Sequence, residues 1–168
     1  MTVVLLLAGA IVALDQITKA VALDRLPLGV PLSVIDGLLS LTLVLNPGLA
    51  FGLLGTIPQT WRWVVAALSL VALAVLARVA LRVLPAGGWL GRLAIGLIFG
   101  GAVGNLIDRA RFGAVVDFID FSGPWFGLNV AGWDVGFPWI FNIADASITL
   151  GAAALLLDQL LVSRKRPG

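Results

Sequence analysis

Four apolar stretches dominate the chain, and polar residues concentrate in the segments between them. A helix that crosses a bilayer needs about 20 mostly apolar residues. Stretches of about this length cover residues 3–23, 61–81, 90–107 and 141–162. The pattern predicts an all-α integral membrane fold with four transmembrane helices in a single membrane domain, residues 1–168.

Basic residues indicate how these helices are oriented. Six of them lie beside the short connector 82–89 or at the end of the chain: Arg78, Arg82, Arg92, Arg164, Lys165 and Arg166. Cytoplasmic segments carry an excess of Lys and Arg. Both termini are therefore predicted to be cytoplasmic. The first stretch has no basic leading segment and is interrupted by Asp15 and Lys19, so we interpret it as a retained helix, not a cleaved signal peptide.

The two long connectors, residues 24–60 and 108–140, are then predicted on the outer side. Within the first of them, residues 27–52 alternate loosely between apolar and polar positions and include several β-branched side chains. Such alternation favours strands. We therefore expect a small extracytoplasmic β or loop cradle beside the helices.

Composition supports the membrane assignment and narrows the chemistry. Hydrophobic residues make up 60% of the chain and charged residues 12%, whereas about a quarter of a soluble domain is charged. This excludes an ordinary soluble domain, a disordered tail and a nucleic-acid binder. The chain has no Cys and no His, which excludes disulfides, thiolate nucleophiles, Ser-His pairs and the usual zinc motifs. All nine acidic residues are Asp, so acid–base chemistry must depend on Asp, Lys or an unusual Ser; we expect no metal site and no cofactor.

Polar side chains recur at helical spacing near the predicted outer ends of three spans. An ionisable group inside a membrane costs about 2.5–3.5 kcal/mol on insertion scales, so such groups mark candidate functional positions. The residues with this spacing are Asp15, Thr18 and Lys19, then Asn105, Asp108 and Arg109, and then Asn142 and Asp145.

Structural roles are the alternatives for several charged and small residues. Asp15 and Lys19 can form an ion pair on one helix face. Asp108 and Arg109 can cap a helix end and anchor it at the headgroups, and Asp158 near the inner interface is expected to be solvated. Glycines at spacing four in the third span predict close helix packing and no chemistry; they are Gly96, Gly100 and Gly104.

Asp117 and Asp145 are harder to explain structurally. Asp117 lies between Val115-Val116 and Phe118-Ile119, and Asp145 lies in an apolar helix, each without a nearby basic residue in sequence. Two carboxyl groups at the same depth in apolar settings suit a pair that shares one proton. One member then acts as a base on water and the other as an acid toward the substrate.

Five short motifs occur in order along the chain. They are Asp15-Gln16-Ile17-Thr18-Lys19, Asn46-Pro47-Gly48-Leu49-Ala50-Phe51-Gly52, GGAVGNLIDR from Gly100 to Arg109, Val115-Val116-Asp117-Phe118, and Phe141-Asn142-Ile143-Ala144-Asp145. Together they resemble the motifs of the bacterial lipoprotein signal peptidases (signal peptidase II), which are aspartyl peptidases of the inner membrane. The resemblance covers nearly the whole chain.

The resemblance implies a function. Asp117 and Asp145 are expected to be catalytic and to activate a water that hydrolyses the peptide bond before the lipid-modified Cys of a prolipoprotein. The expected partners are diacylglyceryl-modified prolipoproteins and membrane lipids, with no nucleic acid, and we expect a monomer in the bacterial inner membrane with its site near the outer leaflet. Roles in binding substrate or supporting the pair are implied for Asp15, Lys19, Asn46, Gly48, Asn105, Asp108, Arg109, Asn142 and Ala144.

Several alternatives stay open at this point. Asp108 competes with Asp117 as the partner of Asp145. Gly52 stands where many relatives have Ser, and residues 122–139 form a long connector for the family. A proton- or ion-coupled carrier is the competing function, since intramembrane Asp and Lys also mark ion pathways, and a structural scaffold held by the glycine face is a third.

Overall fold

A computed structural model describes residues 1–48, 62–83, 88–121, 128–130, 133–135 and 140–164 of the chain. The four helices are α1 (Thr2–Arg25), α2 (Arg62–Val83), α3 (Trp89–Phe112) and α4 (Ile143–Arg164). The strands are β1 (Leu32–Ile35), β2 (Leu39–Asn46), β3 (Val115–Asp120), β4 (Leu128–Val130), β5 (Trp133–Val135) and β6 (Ile140–Phe141).

The helices match the apolar stretches of the sequence. Three of them contain segments long and apolar enough to cross a bilayer, namely Thr2–Arg25, Trp89–Phe112 and Ile143–Leu161. In α2 the apolar segment is shorter, Trp63–Arg78. The fold therefore has three to four apolar helices, and the predicted number of four crossings stays a prediction.

The end of α3 differs from the prediction. The span was expected to end near residue 107, but the helix continues to Phe112 and ends at Gly113. Gly113 has a φ of 68°, in the left-handed region that favours glycine, and its N–H bonds to the carbonyl of Arg109. Asp108 and Arg109 therefore lie inside the helix and are buried, so the expectation that they cap its end at the headgroups was wrong.

Helix α3 is the central element of the bundle, and its glycines allow close contact on two sides. A Cβ on Gly100 would lie 2.7 Å from the side chain of Ile11 in α1, and one on Gly104 would lie 2.5 Å from Asp15. A Cβ on Gly101 would collide with the backbone carbonyl of Ala144 in α4. The predicted packing role of the glycine stripe is confirmed, since side chains here would force the helices apart.

A four-stranded antiparallel sheet lies at one end of the bundle, in the order β1-β2-β3-β6. It packs on α1 through a buried apolar cluster of Ala22, Leu43, Val116 and Phe118. Strands β1 and β2 confirm the cradle predicted within residues 27–52. Strand β3, which pairs Asp117 with Val44 and Val115 with Asn46, was not predicted, nor were β6 and the β4–β5 hairpin.

The opposite end of the bundle contains one buried acid. Asp158 is only 6% exposed, which contradicts the expectation that it is solvated. Its carboxylate lies against the first turn of α3, where a Cβ on Gly91 would be 2.9 Å from Oδ2. The positive end of the α3 dipole stabilises a negative charge at this position.

Candidate active site

Asn142 joins the strand that carries Asp117 to the helix that carries Asp145. It precedes α4, and its side-chain Oδ1 accepts a hydrogen bond from the backbone N–H of Asp145 at 2.9 Å. In return, Asp145 Oδ2 accepts one from the backbone N–H of Asn142 at 3.4 Å. This is the reciprocal pattern of a capping box, which starts the helix and at the same time sets the position of the Asp145 carboxylate.

The other end of the Asn142 amide contacts β3. Its Nδ2 donates to Asp117 Oδ1 at 2.7 Å and also lies 3.2 Å from the carbonyl oxygen of Val116. Asn142 is fully buried, so one amide connects the two carboxyl groups. Asp117 and Asp145 therefore face the same small volume.

Asp117 is 2% exposed, and its environment favours the protonated form. Burial, and to a smaller extent the nearby charge of Asp145, raise the pKa of this carboxyl group to about 7. Two amide donors act in the opposite direction and lower the pKa: Asn46, whose Nδ2 is 3.0 Å from Oδ2, and Asn142. The result is a carboxyl group that exchanges its proton near neutral pH.

Asp145 is half-buried and is held by α3. Its Oδ1 accepts a hydrogen bond from Asn105 Nδ2 at 2.8 Å. Asn105 Oδ1 in turn lies 3.0 Å from Lys19 Nζ. A chain of polar contacts therefore runs from α1 through α3 to the carboxylate in α4.

Lys19 lies between two other carboxylates. Its Nζ is 2.9 Å from Asp15 Oδ2 and 2.7 Å from Asp108 Oδ2. The predicted Asp15–Lys19 pair is confirmed, and Asp108 is a second partner of Lys19 that sequence spacing did not indicate. All three side chains are almost fully buried, at 3% exposure or less.

The two carboxylates beside Lys19 also hold backbone groups of the site. Asp15 Oδ1 accepts from the N–H of Ala144 at 3.0 Å, and Asp108 Oδ2 accepts from the N–H of Val116 at 3.1 Å. These contacts attach the start of α4 to α1 and the start of β3 to α3. Asp108 thus has a cation and a structural role already, which disfavours it as the partner of Asp145.

Arg109 binds the backbone of the segment that follows β2. Its Nη2 donates to the carbonyl oxygen of Gly48 at 2.8 Å, and the N–H of Gly48 donates to Asn46 Oδ1 at 2.9 Å. Because the oxygen of the Asn46 amide is used in this way, its nitrogen is directed to Asp117. Gly48 therefore acts through its backbone, and Arg109 acts by holding that backbone in place.

A cavity of about 450 Å³ opens beside the two carboxyl groups. Asp117, Asp145, Asn46, Asn105 and Arg109 line its polar end. Its remaining wall is almost entirely apolar and comes mainly from α2, α3 and α4, including Leu68, Leu73, Leu76, Ile98 and Ile148. The arrangement suits a peptide whose reacting bond lies at the polar end and whose apolar part lies along the helices.

The structure brings all the site residues predicted from the sequence into one connected network at the sheet end of the bundle. Gln16, which the sequence analysis did not single out, joins this network by donating to Asp108 Oδ1 at 2.9 Å. Elsewhere in the sheet, Thr42 donates to Asp120 Oδ2 at 2.6 Å. Gln16 lies within the first motif, whereas Thr42 and Asp120 meet only through the β2–β3 pairing. Gly52 lies outside the described residues, and of residues 122–139 only β4 and β5 are described.

Comparison with known proteins shows which family the chain resembles. A family model described as Signal peptidase (SPase) II matches residues 7–161. A lipoprotein signal peptidase of Desulfitobacterium hafniense is 38% identical over 157 residues, which cover 94% of this chain and 92% of that protein. One from Caulobacter vibrioides is 43% identical over 162 residues, which cover 92% and 84% of the two chains.

Solved structures give the same result for the fold. A bacterial membrane enzyme determined by the in meso method at 2.3 Å resolution matches with a TM-score of 0.72 and 32% identity, over 100% of this chain and 94% of that one. A second, at 1.9 Å, also has a TM-score of 0.72, with 34% identity. The fold is thus that of a multi-pass membrane enzyme, and the extent of the family match shows that this chain is a peptidase that belongs to the signal peptidase II family.

Proposed function

We propose that this chain removes the signal peptide from prolipoproteins, and that Asp117 and Asp145 are the catalytic pair. The observation that carries the proposal is the shared position of these two carboxyl groups. Both border one cavity, both bond to Asn142, and neither has an ion-pair partner within 4 Å among the described residues. The bond hydrolysed is the one before the diacylglyceryl-modified Cys, as the family resemblance implies.

The pair supplies the proton transfers that amide hydrolysis needs. In the first step the ionised carboxylate takes a proton from water, the resulting hydroxyl forms a bond to the carbonyl carbon, and the protonated carboxyl gives its proton to the carbonyl oxygen. In the second step the first carboxyl returns its proton to the leaving nitrogen, the C–N bond breaks, and a hydroxyl of the tetrahedral intermediate reprotonates the second carboxylate. The pair ends in its starting state, with one acid and one amine released.

The environment of the two groups supports a shared proton. The raised pKa of Asp117 places its proton exchange near neutral pH, where general acid–base catalysis is most effective. Asp108, the alternative partner, is paired with Lys19 and bonded to Val116. Asp108 is also not among the described residues that line the cavity, whereas Asp117 and Asp145 both are.

The cavity also supports a membrane-borne substrate. Its polar end contains the carboxyl groups, and its apolar wall extends along α2, α3 and α4. We propose that the apolar part of the signal peptide lies along this wall. The proposed location is the bacterial inner membrane, with both termini cytoplasmic and the carboxyl pair near the outer leaflet, where a lipid-anchored Cys presents its peptide bond.

A carrier is the competing function. It requires polar groups that continue across the bilayer. Among the described residues, the buried charged side chains cluster at the sheet end, and only Asp158 lies buried at the other end. This distribution favours a reaction site over an ion pathway.

The experiment that tests the function uses the purified chain in lipid nanodiscs with two precursors of the same sequence, one with a diacylglyceryl-modified Cys and one unmodified. Cleavage of the modified precursor alone is expected. Mass spectrometry of the products locates the cut bond. Failure to cut the modified precursor, or equal cutting of both, contradicts the proposal.

A further inference from the structure

The orientation of the Asn105 amide follows from its neighbours. Lys19 Nζ lies 3.0 Å from Asn105 Oδ1, and an ammonium group only donates hydrogen bonds. Asn142 Nδ2 lies 3.1 Å from the same oxygen. The oxygen of Asn105 must therefore face these donors, which leaves its NH2 group directed to Asp145 Oδ1 at 2.8 Å.

Lys19 is held so that it cannot release this amide. Asp15 and Asp108 bind its ammonium at 2.9 and 2.7 Å, and the side chain is 3% exposed. Three acceptors on two helices therefore use the three donors of one lysine. The amide of Asn105 has no alternative orientation while Lys19 is present.

Charged groups face the pair from every element packed there: Asp15 and Lys19 on α1, Asp108 and Arg109 on α3, and Asp117 on β3. Of the two α1 charges, Lys19 favours an ionised Asp145 and Asp15 opposes it, and the attraction to Lys19 is the larger of the two effects. The α2 residues that line the cavity are uncharged. Arg109 interacts more strongly with Asp145 than with Asp117, and an N–H donated to a carboxylate stabilises its charged form.

Asp117 differs in how little Lys19 stabilises its ionised form. It also accepts two amide hydrogen bonds, but of the interactions that favour its ionised form the attraction to Lys19 is the smallest. Burial outweighs them and raises the pKa of Asp117 to about 7.

We infer that Lys19 is a positioning residue which, through the Asn105 amide, makes Asp145 the ionised member of the pair and leaves the shared proton on Asp117. The inference rests on the proposed aspartyl mechanism and assigns its two roles. In the first step Asp145 takes the proton from water and Asp117 protonates the carbonyl oxygen. In the second step Asp145 gives its proton to the leaving nitrogen, and a hydroxyl of the tetrahedral intermediate reprotonates Asp117. Lys19 itself is not among the described residues that line the cavity.

The test separates this role from a structural one by means of a charge-matched variant. Lys19→Met alone leaves Asp15 and Asp108 facing each other, so it is combined with Asp108→Asn. The controls are Asp108→Asn alone, which keeps Lys19 on Asn105, and Lys19→Arg, which keeps a donor to the amide oxygen. The dependence of kcat and KM on pH is measured for each, together with thermal unfolding.

The double variant is expected to need a higher pH before its base is ionised. The acid limb of its kcat profile moves up by about one pH unit, so kcat on that limb falls about tenfold, while KM is unchanged and activity recovers at high pH. Both controls keep the acid limb of the original chain. An acid limb in the double variant that coincides with that of Asp108→Asn overturns the inference.

A second variant provides an independent test if the double variant does not fold. Asn105→Leu removes the donor to Asp145 and leaves the net charge unchanged, and the same upward movement of the acid limb is expected. An unchanged limb overturns the inference as well. Failure of the unaltered chain to cleave the lipid-modified precursor would instead contradict the proposed function, so the two failures are distinguishable.

Discussion

Two pairs of aspartates lie at the same end of the helix bundle and differ in what faces them. Asp15 and Asp108 enclose the ammonium of Lys19 at 2.9 and 2.7 Å. Asp117 and Asp145 share only amide donors and a cavity. The residue type is the same in both pairs, so its role is determined by the presence or absence of a cation between the carboxyl groups. The first pair holds the ends of β3 and α4 in place, and the second has a proton to exchange.

The largest expected effect is on turnover, and it separates the pairs most clearly. Asp117→Asn and Asp145→Asn each remove a proton-transfer group, which costs about 10²–10⁴-fold in rate. Neither change leaves an unpaired buried charge, so neither variant should unfold at a lower temperature than the original chain. Cleavage of the lipid-modified precursor and a melting curve in the same nanodiscs measure both. Near-normal turnover in either variant would remove that residue from the catalytic pair.

Loss of the cation should also lower stability. Lys19→Met leaves two buried carboxylates facing each other, and breaking a buried ion pair from one side costs about 3–5 kcal/mol. Arg25→Met is the matched control, because Arg25 pairs with Asp24 at 2.8 Å with both side chains more than 70% exposed; such surface pairs contribute about 0–1 kcal/mol. The free energy of unfolding of both variants is measured. Equal losses would contradict the structural role of the first pair.

Helix α3 carries Asp108 of the first pair and α4 carries Asp145 of the second. The close contact between these two helices can be disturbed directly. Gly101→Ala places a methyl group against the carbonyl of Ala144, next to Asp145, and overpacking of this kind costs about 1–3 kcal/mol. Because the helices must separate, the Asn105–Asp145 contact lengthens and turnover falls too. Gly9→Ala in α1, where no atom lies within 4 Å of the added Cβ, should not destabilise the chain. A Gly101→Ala variant as stable and active as Gly9→Ala would show that this contact is not needed.

The smallest change, taken per pH unit, is expected in the pH dependence of stability. Folded Asp117 keeps its proton up to about pH 7, whereas an unfolded Asp loses it at about pH 3.9. Between these values the unfolded chain binds fewer protons, so the free energy of unfolding falls as pH rises. Asp117→Asn should make this slope shallower by up to about 1.4 kcal/mol per pH unit. Parallel curves for the two chains between pH 4 and pH 7 would contradict the raised pKa of Asp117.

Much of the helical architecture follows from the sequence, because each of the four helices forms on one of its long apolar stretches. The sequence also indicated the residues of the candidate site, since Asp117 and Asp145 are polar in apolar surroundings. What it did not indicate depends on contacts between distant segments. Lys19 has one partner four residues away and another in α3, and β3 follows a helix end that only the turn at Gly113 defines.

Asp158 illustrates the same limit. Its position near Arg164 and Lys165 in the sequence suggested a solvated side chain, but packing places it against Gly91 in another helix. The absence of a side chain on that glycine, 67 positions away in the sequence, is what leaves room for the carboxylate. Local sequence patterns contain no information about such a contact.

Labelled water gives the most direct test of the central claim, that Asp117 and Asp145 activate a water molecule between them. A single turnover of the lipid-modified precursor in H₂¹⁸O should place one ¹⁸O atom in the new carboxyl terminus of the released signal peptide. Peptides of the enzyme that contain Asp117 or Asp145 should carry none. Label in either aspartate would show that its carboxylate attacks the substrate directly, and would contradict the account.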